Sequence, residues 1–70
     1  DAFTLQFSQP LAAEGQATLL NEFGQRITQQ PLMEGETELD WSAASLPAGL
    51  YFLEVFTEDG YREVLKVVRQ

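Results

Sequence analysis

The sequence predicts an all-β fold, an antiparallel, immunoglobulin-like β-sandwich of about six to seven short strands. Three observations carry the prediction. Apolar residues recur with period two in short runs, no stretch holds the 3.6-residue period of a convincing amphipathic helix, and turn-forming residues punctuate the chain roughly every 8 to 12 positions. At 70 residues the chain is read as one domain, 1–70, of a size that buries only about 60% of its unfolded surface.

Phe3-Thr4-Leu5-Gln6-Phe7 alternates apolar with polar residues and reads as the first strand, interrupted by Pro10 and the Ala12–Gly15 stretch. Gln16–Asn21 is the second, with Ala17 and Leu19 on one face. Asn21-Glu22-Phe23-Gly24 then turns the chain, because Gly24 can take the left-handed conformation that a bulged hairpin requires. Gln25–Gln30 returns, with Ile27 its apolar residue, and is expected to end before Pro31, which cannot donate to a ladder. Leu32 and Met33 lead to a turn at Glu34-Gly35.

Glu36–Trp41 alternates again. Thr37, Leu39 and Trp41 share one parity, while Glu36, Glu38 and Asp40 share the other and should face water. Ser42–Ser45 reads as a loop or a single helical turn. Leu46-Pro47-Ala48-Gly49 fits a type I turn, with proline second and glycine fourth. Leu50–Thr57 is the strongest strand, its core face Tyr51, Leu53 and Val55, its other face the mixed set Leu50, Phe52, Glu54 and Phe56. Asp59-Gly60 predicts a tight type I′ hairpin, in which both central residues have positive φ, and Tyr61–Arg69 returns as the last strand.

Composition argues against several functions. There is no Cys and no His, which removes thiolate chemistry, disulfides and the commonest proton shuttle, so an enzyme is not expected. Eleven acidic against four basic residues give a net charge of −7, which repels nucleic acid and anionic lipid. No apolar run reaches the roughly 18 residues of a membrane span. The start at Asp1, with neither Met nor an export signal, suggests a domain cut from a longer protein.

Glu34, Glu36, Glu38 and Asp40 invite comparison with calcium or glycosidase carboxylates, but their alternation and the lack of a calcium-loop spacing favour a solvated strand face. Ser8, Ser42 and Ser45 have no histidine to activate them. Trp41 could stack on a sugar, although its parity with Leu39 favours the core. Phe52 and Phe56 form either a surface patch for interaction or a second buried face. Lys66 and Arg69 make a basic end on an acidic domain, legible to an acidic receptor or serving only to protect an edge strand.

Taken in order, Leu20-Asn21-Glu22-Phe23-Gly24-Gln25-Arg26-Ile27, Leu39-Asp40-Trp41-Ser42, Leu46-Pro47-Ala48-Gly49-Leu50-Tyr51-Phe52-Leu53, Asp59-Gly60 and Lys66-Val67-Val68-Arg69-Gln70 follow a known pattern. The chain resembles the type A C-terminal sorting domains of the type IX secretion system of Bacteroidetes. The Ala-Gly-x-Tyr element and the basic last strand are the most specific parts. Two departures stand out: no Pro-Asn-Pro element opens the chain, and Gln25 precedes Arg26 where a basic residue often follows the glycine directly.

The resemblance implies a non-catalytic secretion signal without cofactors, fused behind an N-terminal cargo. Its partners would be the type IX translocon and a surface sortase that removes the domain. The cargo would pass through the periplasm to the cell surface or the medium. Gly24, Pro47, Gly49, Tyr51, Asp59, Gly60, Lys66 and Arg69 would carry the sorting motif, with Phe52 and Phe56 as an interaction patch. The alternative is an immunoglobulin- or fibronectin-like accessory or carbohydrate-binding spacer module of an extracellular protein.

Overall fold

A computed structural model describes residues 2–42 and 46–70. The described residues form six strands and no helix: β1 (Ala2–Gln6), β2 (Gly15–Asn21), β3 (Arg26–Leu32), β4 (Glu38–Ser42), β5 (Gly49–Thr57) and β6 (Arg62–Arg69). All pairings are antiparallel. β1 pairs with β4 in one sheet, and the other runs β3-β2-β5-β6. The loop or helical turn expected over Ser42–Ser45 lies outside the described residues beyond Ser42, which ends β4.

The period-two pattern becomes the core directly. Ala17 and Leu19 of β2 and Tyr51, Leu53 and Val55 of β5 are all buried, facing Leu39 and Trp41 of β4. Leu5, Phe7, Leu46, Leu65 and Val67 pack around this cluster. Because side chains alternate across a strand, one residue of slip would turn the whole apolar set outward, so this burial locks the register. Ala17 accordingly opposes Val55, and Leu19 opposes Leu53. Two layers suffice to enclose the core, and the shortest dimension of the molecule is 17 Å.

Several expectations need correction. Pro31 lies inside β3, opposite Gln16, because β3 is the outer strand of its sheet and a missing N–H costs nothing on an unpaired edge. Leu32, read as part of a connection, ends β3 and is almost fully buried. Ile27 is 42% exposed, next to a register shift between Leu19 and Leu20. The fourth strand begins at Glu38, not Glu36. Leu46–Gly49 bends at Ala48 without a hydrogen-bonded turn, and the Leu46 carbonyl accepts from Arg69.

The Asp59-Gly60 turn also differs from type I′, for no non-glycine residue described has positive φ. Gly60 N–H donates to Thr57 C=O (3.0 Å) and Thr57 N–H to Tyr61 C=O (2.9 Å), closing a three-residue loop with Gly60 at φ 95°. That left-handed position falls on the residue best able to hold it, and Asp59 keeps an ordinary conformation. Asn21–Gln25 closes in the same way. Gly24 (φ 82°) donates to Asn21 C=O and Asn21 N–H donates to Gln25 C=O, as expected of a bulged hairpin.

Candidate functional site

The residues of the sorting pattern divide between the two ends of the four-stranded sheet. Gly49 opposes Arg69 across β5 and β6, and Asn21 opposes Tyr51 across β2 and β5. Gly24, Pro47, Gly49, Tyr51 and Arg69 therefore share one end. Asp59 and Gly60 sit at the other, a strand length away.

At the first end, side chains from two strands hold one short segment. The Tyr51 hydroxyl donates to Pro47 C=O (2.6 Å), and Arg69 Nε donates to Leu46 C=O (2.7 Å). A tyrosine near the start of a strand bonding backbone four residues upstream has the geometry of the tyrosine corner of sandwich folds. The buried ring fixes the hydroxyl, so the carbonyl is held by a rigid donor. Arg69 closes the corner from the edge strand, through a bond that is part-buried. An isolated charge at the tip does not describe it.

Lys66 and Arg69 are not brought together. Three positions apart on a strand, they project from opposite faces. Lys66 opposes Phe52 on the outward face, while Arg69 shares the inward parity of Leu65 and Val67. Phe56 is 51% exposed opposite Arg62, and Phe52 is half-buried. The two phenylalanines thus belong to an outward patch and not to a second buried face.

At the far end, Asp59 organises the hairpin. Its carboxylate accepts a short hydrogen bond from the buried Thr57 hydroxyl and a longer one from Tyr61 N–H (3.3 Å). These bonds, the Thr57 one foremost, hold the Asp59 carboxyl below its ordinary value because they favour the charged form. Tyr61 is shifted up, chiefly by desolvation and also by the charge of Glu63. Beside this turn, Phe7–Ala12, Thr57, Asp59 and Tyr61 line an open cleft of about 210 Å³.

The acidic strand behaves as a solvated face. Glu38 and Asp40 are exposed, Asp40 accepts from the Thr4 hydroxyl (2.8 Å), and Glu36 accepts from Met33 N–H (3.1 Å). No group of acids among the described residues is placed to hold a metal ion. Trp41 is 6% exposed and its ring is unavailable for stacking on a sugar.

Sequence reasoning missed Arg62 and placed Arg26 only in the turn pattern, without a face. Arg62 donates to the Glu54 carboxylate (2.6 Å) on the outward face of β5 and β6. Arg26 reaches Gln29 (3.5 Å), which in turn donates to Gln16 and Thr18. The signal was available for Arg62, since Arg62, Val64, Lys66 and Val68 share one parity. For Arg26, a register shift hides the parity.

Compared with known protein families, curated proteins and solved structures, the chain matches none.

Proposed function

We propose that this domain is a non-catalytic C-terminal sorting signal that directs a fused cargo through the type IX secretion system, after which a surface sortase removes it. The reading starts from the ordered motif resemblance. The observation that supports it best is the corner at Leu46–Gly49, where the stretch holding Pro47, Gly49 and Tyr51 meets Arg69 from the far end of the pattern: Tyr51 bonds Pro47 C=O and Arg69 bonds Leu46 C=O. A signal read in its folded form must display a fixed surface, and two side-chain tethers on adjacent carbonyls fix this one.

The last strand adds a second element suited to recognition. β6 lies at the edge of its sheet, so its outer backbone groups are open to strand addition by a partner. Steering by charge falls to Lys66, because Arg69 is committed to the corner.

The test is a fusion of residues 1–70 to the C-terminus of a periplasm-directed fluorescent protein in a Bacteroidetes host. Export to the surface or medium should require a working translocon and should fail when the β5–β6 hairpin is deleted. A stably folded fusion that stays in the periplasm would favour the accessory-module reading.

A further inference from the structure

The four cations of this chain are not scattered. The outward face of the four-stranded sheet carries Arg26, Arg62 and Lys66 and, among its strand positions, one acid, Glu54. Three cations and one acid give that face +2, so the rest of a chain of net −7 carries −9.

The face is also apolar. Across all four strands one row reads Arg26, Leu20, Phe52, Lys66, a cation on each edge strand and two apolar side chains between them. Val64 and Val68 are 51% and 60% exposed on the same side of β6. The two-stranded sheet covers the opposite face, and nothing in the chain's described residues covers this one.

From these observations we propose that the outward face of the β3-β2-β5-β6 sheet docks an acidic, extended protein segment of the form Glu/Asp-x-apolar-x-Glu/Asp. Three interstrand spacings of about 4.8 Å put Arg26 and Lys66 about 14 Å apart, and four residues of extended chain span about 13 Å. Acids at positions one and five and an apolar residue at position three would all project from one side of that segment. The carboxylates meet the edge-strand cations while the apolar side chain sits on Leu20 and Phe52.

A second copy of the chain fits poorly. Face-to-face pairing about a two-fold axis sets cations against cations. The acidic outer face of β1 and β4 presents Thr4, Gln6, Glu38 and Asp40, no apolar match among the side chains described there. The −9 elsewhere repels nucleic acid and anionic membranes, whereas a small acidic-apolar segment meets only the positive face.

This proposal deepens the sorting reading, on which it rests only for placing the segment in the secretion machinery. The probe is a synthetic peptide repeating Glu-Thr-Phe-Thr, titrated into the isotope-labelled 1–70 chain and followed by amide NMR. Expected are shifts at Leu20, Phe52, Val64 and Lys66, weakening with salt, and at least a tenfold loss of affinity in the Arg26→Glu/Lys66→Glu variant. Both sites are exposed, so that variant should keep native spectral dispersion.

A repeat of Lys-Thr-Phe-Thr should not bind. No binding by the acidic peptide, equal binding by the basic one, or shifts confined to another face would each overturn the proposal. So would stronger engagement of the same residues by phosphatidylglycerol vesicles or oligothymidylate. In the export fusion, normal secretion of the double variant would remove this face from sorting while leaving the sorting reading intact. Peptide binding as described by a chain that is never exported would leave the docking face and remove the sorting reading.

Discussion

The corner at Leu46–Gly49 should act as one mechanical unit, and a double-mutant cycle can measure that. Tyr51→Phe keeps the buried ring and removes only the hydroxyl donor to Pro47 C=O. Pro47 is exposed, so water can replace the lost partner, and the cost should be about 1 kcal/mol. Arg69→Met keeps most of the aliphatic stem and removes a charged donor to Leu46 C=O. Charged hydrogen bonds contribute about 1.5–3 kcal/mol, and half-exposure puts this one near the lower end, about 1.5 kcal/mol.

Independent tethers would together cost about 2.5 kcal/mol. The two acceptors, however, belong to adjacent residues. Once either donor is gone the segment loosens and the other bond constrains less, so the double variant should lose only about 1.5–2 kcal/mol, a coupling of at least about 0.5 kcal/mol. Urea unfolding followed by Trp41 fluorescence, which reports the core directly, gives each free energy. At about 4–8 °C per kcal/mol for a domain of this size, each single change is also visible in Tm. Losses that add within about 0.3 kcal/mol would refute the idea of a shared corner.

Four further outcomes are expected. A Cβ on Gly15 would lie 1.9 Å from Phe56 O and 2.6 Å from Thr57 Cα, both backbone, so Gly15→Ala should cost about 3 kcal/mol or more. At Gly60 a Cβ meets nothing within 4 Å and only the positive φ is penalised, so Gly60→Ala should cost about 1 kcal/mol; the ranking is checked by thermal melts. The folded-state pKa of Asp59 is lowered, so its stabilising contribution is present above its unfolded value near 3.8 and is lost as pH falls through the folded value. The Tm difference between the parent and Asp59→Asn should therefore shrink as the pH is taken from neutral to below that window. Thr57→Val keeps the buried volume but removes the Asp59 donor, and should cost about 1 kcal/mol by urea titration.

What the sequence made legible follows from period two. Tyr51, Leu53 and Val55, and likewise Leu39 and Trp41, could be assigned to the core because alternation survives any arrangement of the sheets. Pairing partners could not be read this way. Leu32 follows a proline and looked like a connection, yet the edge position of β3 lets the strand run through Pro31 and bury it. Asp59-Gly60 read as a two-residue type I′ turn, and the longer loop shows in the bond from Thr57 N–H to Tyr61 C=O and in the ordinary φ of Asp59. The basic end was misjudged for a simpler reason: three positions on a strand is an odd step, so Lys66 and Arg69 part company. Arg26 and Lys66 are 40 positions apart in the chain and meet on one face only because β2 and β5 pair.

That β2–β5 pairing also sets the order in which the chain can assemble. The β2–β3 and β5–β6 hairpins are local and can close within about 1–10 μs. Joining them requires Asn21 to find Tyr51 and Gly15 to find Thr57, contacts of long sequence separation that must form against loop-closure entropy. Until β5 emerges, β2 has a bare inner edge and Leu19 has only Thr28 of β3 opposite it. A chain made from its N-terminus can thus complete its four-stranded sheet only once residues 49–69 are available to pair.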